Sequence, residues 1–149
     1  MRPLYIFDLD GTLADLTHRR HFVDGTDGRK DWDAFHRACV NDAPIWPVLQ
    51  TMERLRESCA ECWIVSGRSD MVRSETEAWL RQYGCKPDRL LMRKAGDYTP
   101  DDVLKESWLA SWSPADRWRI AAVFDDRDRV VAMWRRHGFQ CFQVAPGDF

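Results

Sequence analysis

No stretch of this chain approaches the roughly 20 consecutive apolar residues that a membrane helix needs. Aspartates stand at positions 8 and 10, too early for the apolar stretch of a secretory leader. A soluble, cytoplasmic protein with no membrane partner is the expectation. Charge of one sign is also missing. The formal net charge is −2, so any anion recognition must come from a local cation cluster or a metal. The five cysteines, Cys39, Cys59, Cys62, Cys85 and Cys141, are odd in number and irregular in spacing. That excludes a secreted disulfide framework. Cys59-Ala-Glu-Cys62 is a lone C-x-x-C across an expected helix end and strand start, and buried free thiols are the better reading. The histidines, His18, His21, His36 and His137, have no mutual metal spacing. No G-x-x-x-x-G-K-[ST] occurs, which excludes a P-loop. Repeats, linkers and low-complexity tracts are absent as well.

What is present is one domain's worth of chain, 149 residues with an ordinary apolar fraction of 44%. Tryptophan is abundant, at eight. Trp79, Trp108, Trp112 and Trp134 fall at core spacing on expected helices. Base stacking by one of the eight is an option that the sequence does not assign to any residue.

The chain alternates strand and helix. Leu4 to Phe7 is a short apolar run of the kind buried on both faces of a parallel sheet. Cys62–Val65, Leu90–Met92, Ile120–Phe124 and Cys141–Val144 repeat the pattern. Between them, helices are expected at about 31–40, 48–57, 70–83, from Thr99 onward, in a short segment from Pro114, and at about 128–137. Thr99 suits a helix cap, with Pro100 at the first position and Asp102 three residues past the cap. Asp24-Gly25-Thr26-Asp27-Gly28 reads as a mobile loop. The span 16–46 is too long for an ordinary connection and reads as a small cap over the first strand's end, flanked by His18 and His21. The fold class is α/β, a Rossmann-like parallel sheet with helices on both faces and a cap insertion after the first strand.

In such sheets ligands bind beyond the carboxyl ends of the strands. Three expected strand ends carry special groups: Asp8 and Asp10; Ser66, Gly67 and Arg68; Asp125, Asp126 and Arg127. Lys105 lies on a helix able to approach the same edge. The set offers carboxylates for a hard cation, a hydroxyl and amides for an anion, and a lysine for charge balance. Mg²⁺ suits carboxylate and carbonyl ligands shared with a phosphate. Phosphate-monoester hydrolysis needs very large acceleration, which a covalent aspartyl-phosphate divides into two displacements and cations assist.

Asp8-Leu9-Asp10-Gly11-Thr12, Ser66, Lys105 and Asp125-Asp126, in that order, resemble the haloacid dehalogenase-like phosphatase superfamily. Ser66-Gly67-Arg68, Gly96-Asp97, Asp101 to Glu106, Asp125-Asp126-Arg127 and the tail from Val130 to Phe149 resemble the phosphatase half of phage polynucleotide kinase-phosphatases. The resemblance implies that Asp8 is nucleophile and metal ligand. Asp10 would protonate the leaving oxygen, activate water and lend its main-chain carbonyl to the metal. Asp125 would complete the Mg²⁺ site, and Asp126 would act through water or orient Lys105. Lys105 would bridge nucleophile and phosphate. Thr12, Ser66, Gly67 and Arg68 would hold substrate, with Arg19 (or its neighbour Arg20), Asp101 and Arg127 in support. The implied activity is removal of 3′-phosphates from polynucleotide ends or nucleotides. The alternatives are a nucleotidase for free mononucleotides and an inactive binding module on the same scaffold. A separate kinase or ligase partner and a homo-oligomer are compatible with it.

Overall fold

The computed structural model describes residues 1–25 and 28–149. Thr26 and Asp27, the centre of the expected mobile loop, lie outside the described residues. A five-stranded parallel sheet forms the centre. Its strands are β1 (Leu4–Phe7), β4 (Glu61–Ser69), β5 (Arg89–Arg93), β6 (Ile120–Asp125) and β7 (Cys141–Gln143), in the order β5-β4-β1-β6-β7. The first strand is therefore central, paired with β4 on one side and β6 on the other. Two further strands, β2 (Ala14–Asp15) and β3 (Ala43–Pro44), pair antiparallel and pin the base of the insertion between them.

Alternation along β1 explains why its short run is apolar throughout. Leu4 and Ile6 enter a core with Trp63, Val65 and Val123, covered by α4 (Asp101–Ser111) and α6 (Asp128–Arg136). Tyr5 and Phe7 face the opposite core with Cys62, Ile64 and Phe124, covered by α2 (Trp46–Glu57) and α3 (Arg73–Gln82). Each fully buried Leu, Ile or Phe contributes about 1.5–3 kcal/mol, so both faces favour this register. A one-residue slip would turn every side chain to the wrong helix layer. Pro47 sits in the first turn of α2, as its fixed φ favours.

Several local expectations differ from the structure. The 31–40 segment is a short helix, α1 (Trp32–Arg37), capped by Asp31 and followed by a 3₁₀ turn at Ala38–Asn41. Phe35 and Cys39 are buried, whereas Trp32 is 42% exposed and leaves the inward stripe. A 3₁₀ turn, Asp70–Val72, precedes α3. Pro100, not Thr99, holds the cap position of α4, because the Thr99 hydroxyl is bonded to Asp97. Trp112 follows α4 rather than lying on it, yet it is buried against Trp63 and Trp134. Ser113 caps the short α5 (Pro114–Trp118) as its sequence suggests. β4 runs four residues past Val65, with a shift in its pairing to β5 between Ser66 and Ser69. Of the C-x-x-C, Cys59 is exposed in a left-handed conformation and Cys62 is buried and free. Burial pushes the Cys62 thiol up to about 12, which leaves it inert near neutral pH. Among the described residues no helix is long and apolar enough to cross a membrane.

Candidate active site

The sheet brings the three strand ends to one edge. Asp8 follows β1 directly, and its main-chain N–H donates to Phe124 on β6 at 2.9 Å. This fixes Asp8 beside Asp125, the last residue of β6. Lys105 arrives from the second turn of α4. Its Nζ donates to Asp8 Oδ1 at 2.8 Å and to Asp125 Oδ2 at 2.9 Å. The Thr12 hydroxyl lies 3.3 Å from Asp8 Oδ2 and 3.4 Å from Asp126 Oδ1. The main-chain N–H groups of Asp126 and Arg127 both donate to Asp125 Oδ1. Gly11 turns the chain here with φ +82°, and any Cβ at that position would overlap the Asp126 carboxylate.

Asp8, Asp125 and Asp126 are all buried, and one carboxylate oxygen from each lies within 4.8 Å of the others. Three carboxylates against one ammonium leave the cage over-acidic. Burial, reinforced by Asp125, raises the Asp8 carboxyl well above the usual carboxylate range despite Lys105. Burial also raises Asp125, although Lys105 opposes it, and burial with Asp125 lifts Asp126 to about 6. Burial works against charge on Lys105, but Asp125 and Asp8 outweigh it and hold the ammonium firmly protonated. An all-oxygen donor set with surplus negative charge fits a hard divalent cation.

Asp10 turns away from this cage. It meets Arg19 and Arg68, and both arginines also bond Asp42. Arg19 Nη2 lies 2.7 Å from Asp10 and 2.8 Å from Asp42. Arg68 donates to Asp10 and lies 3.1 Å from Asp42. Both arginines and Asp42 are buried. Burial alone would raise the Asp10 carboxyl, but Arg68 and then Arg19 hold it well below the usual range. Of the two neighbouring arginines, Arg19 is the one that joins this cluster. Arg20 is exposed and lies over the Phe149 ring instead.

The remaining expected residues divide between the two clusters. The Ser66 hydroxyl accepts from the Arg68 N–H at 3.1 Å. A Cβ on Gly67 would overlap Asp101 Oδ1, so the bulged strand needs glycine to let that carboxylate approach. Asp101 pairs with Arg93 at 3.1 Å and with Arg127 at 3.6 Å, so it does more than favour a helix start. Arg127 also bonds the Phe149 carbonyl and lies under its ring. The Asp126 carboxylate meets the Thr12 hydroxyl. Lys105 is already held by Asp8 and Asp125.

Two residues escape sequence reading. Arg93 ends β5 and bonds the Gly67 carbonyl at 2.8 Å. A charged residue at the carboxyl end of a strand was the available signal. Asp42 lies in an unremarkable Asn-Asp-Ala-Pro turn, and nothing local marks it. A groove of about 310 Å³ between α2 and the turn that follows α3, lined by Trp46, Met52, Tyr83 and Cys85 among others, contains none of the site residues.

Comparison with known proteins agrees with this geometry. The fold is shared with L-2-haloacid dehalogenase from Xanthobacter autotrophicus, with a TM-score of 0.57 at 14% identity over 95% of this chain and 76% of that one. It is an α/β Rossmann-like fold of the haloacid dehalogenase class. Residues 2–149 match the family model described as the polynucleotide kinase PNKP phosphatase domain, and the chain belongs to that family. A chain in the structure of the Pnkp1/Rnl/Hen1 complex superposes with a TM-score of 0.83 at 32% identity, over 99% of this chain and 48% of that one. A protein of Autographa californica nuclear polyhedrosis virus, described as a bifunctional polynucleotide kinase/RNA ligase, is 31% identical over 131 residues. That match covers 86% of this chain and 17% of the viral protein. The chain thus spans less than half the length of the complex's chain and of the viral protein.

Proposed function

We propose that this chain is a Mg²⁺-dependent phosphomonoesterase that removes 3′-phosphates from polynucleotide ends. The observation that carries the reading is Asp8: a buried carboxylate bonded by Lys105 and Thr12 and faced by Asp125 and Asp126. Asp8 Oδ attacks phosphorus, and the ester oxygen leaves with a proton from Asp10. Water then attacks the aspartyl-phosphate, gives its proton to Asp10, and frees Asp8 and phosphate. Lys105 offsets charge on the nucleophile and the phosphoryl oxygens. Asp8, Asp125 and the Asp10 carbonyl would hold Mg²⁺, with Asp126 beside them, and the cation would neutralise the phosphoryl group. Ser66, Gly67 and Arg68 supply donors on the other side.

Asp10 imposes a condition on this scheme. Its two arginines keep it ionised in the free protein, so it can donate a proton only when those ion pairs loosen. The substrate's anionic oxygens compete for Arg68 and Arg19 and so release Asp10 to take up a proton. The insertion between β2 and β3 supplies Arg19 and Asp42 and acts as a small cap. The relatives point to RNA repair as the setting, with a kinase and a ligase as partners.

The test is phosphate release, with Mg²⁺, from a 3′-phosphorylated oligonucleotide, a 3′-mononucleotide and a 5′-mononucleotide. The oligonucleotide should be fastest, and EDTA should stop the reaction. Preference for the 5′-mononucleotide would replace this reading with a nucleotidase. No release from any of them would leave an inactive binding module.

A further inference from the structure

Five of the eight tryptophans are buried or packed against the core, and three are largely exposed: Trp32, Trp46 and Trp118. Trp118 ends α5, just before β6 begins, and so lies at the sheet edge opposite the strand ends. Trp46 packs edge-on against Tyr83 beside the groove between α2 and the turn that follows α3. Trp32 alone belongs to the insertion that reaches the acidic site.

Its surroundings form a continuous path to that site. Arg19, which bonds Asp10, stacks its guanidinium over the Phe35 ring at 4.3 Å and donates to the Phe35 carbonyl. Phe35 meets Trp32 edge-on at 5.7 Å and His36 at 5.5 Å. The Trp32 and His36 rings, one turn apart on α1, are inclined by 30° with centroids 6.2 Å apart. They make an aromatic shelf whose inner end is anchored by Arg19. His36 Nδ1 is buried there without a hydrogen-bond partner. Burial keeps the ring neutral, with Arg19, Arg68 and Arg93 close enough to reinforce this against Asp10. Lys30 sits over Trp32 at 5.7 Å, and Arg37 is exposed on the same helix. Cations beside an aromatic face are what a single strand uses, with bases stacked and phosphates neutralised.

We propose that Trp32 and His36 form a stacking shelf for a base at the phosphorylated end of a single-stranded polynucleotide. This rests on the reading of Asp8 as the phosphatase centre and names how that centre would select a strand over a small phosphoester. Recognition by stacking is tolerant of sequence, because every base offers a π face.

Two measurements test it. The first compares kcat/KM for a 3′-phosphorylated oligonucleotide with that for p-nitrophenyl phosphate, in the wild type and in Trp32→Ala. The oligonucleotide preference should fall about 5- to 100-fold. The second uses the Asp8→Asn protein and fluorescence anisotropy, with a labelled 3′-phosphorylated hexamer and one made abasic at its last two positions. The base-bearing hexamer should bind more tightly, and adding Trp32→Ala should erase the difference. Trp32→Leu serves in both assays if Trp32→Ala melts early by circular dichroism. Equal binding of the two hexamers, or an unchanged preference in the variant, overturns the shelf. Base-dependent binding through Trp32, with no 3′-phosphate released by the wild type, would keep the shelf and sink the 3′-phosphatase reading.

Discussion

Asp8 and Asp10 are two residues apart yet belong to clusters of opposite character. Around Asp8, three buried carboxylates share one lysine, and their pKa values are raised. Around Asp10, two carboxylates face two arginines, and Asp10 is held low. The first cluster is incomplete by itself and calls for a cation from outside. The second is satisfied by its own residues and, in the proposed mechanism, would have to be opened by the substrate. In the proposed mechanism the first would supply the nucleophile and the second the proton donor.

The sharpest way to separate the two is Asp8→Asn. Phosphate release should fall by about 10⁴-fold or more, while removal of a negative charge from an over-acidic cage leaves the fold intact. Substantial residual turnover would mean that Asp8 is not the nucleophile. Next in size, Asp42→Asn should cost about 3–5 kcal/mol of stability in urea unfolding, because Arg19 and Arg68 would be left buried with only Asp10. If Asp42→Asn costs no more than a surface change, the second cluster is not the self-contained unit its geometry suggests. The smallest effect is in pH. Asp126 has a folded value of about 6 against an unfolded value near its usual 3.8. A raised carboxyl gives stability below the unfolded value and loses it as pH rises through the folded one. Without metal, the melting temperature should therefore climb as pH drops from 7 to 5, with Asp8 and Asp125 shifted in the same direction; Asp126→Asn should reduce that slope and saturating Mg²⁺ should flatten it. Asp10 shifts the other way and adds nothing in this window, since its stabilisation is lost only below its unfolded value. A flat profile in the metal-free protein would contradict the contrast.

Much of the cage was legible in the sequence because strand ends announce themselves. Apolar runs stopping at Asp8, Ser66 and Asp125 are local signals, and parallel topology brings such ends to one edge. The arginine cluster was less legible. Arg68 follows a strand, but Arg19 lies in a 3₁₀ turn and Asp42 in an irregular turn, and they meet only through the fold of the insertion. Helix starts were misread where a neighbour claimed the capping hydroxyl, as Asp97 does at Thr99. Trp32 shows the limit of periodicity. Its spacing to Phe35 suits a buried stripe, but α1 is only six residues long and has no second layer to bury it.

The central position of β1 also has a consequence for timing. Thr12 and Asp126 are separated by 114 residues, and Asp8 and Lys105 by 97. At ~5–20 residues per second, a ribosome takes about 6–24 s to pass from the first of these groups to the last. β4 is available about midway, but Lys105 and then β6 arrive only late in that interval. The acidic turn encoded near the start of the chain is thus completed by groups encoded near its end.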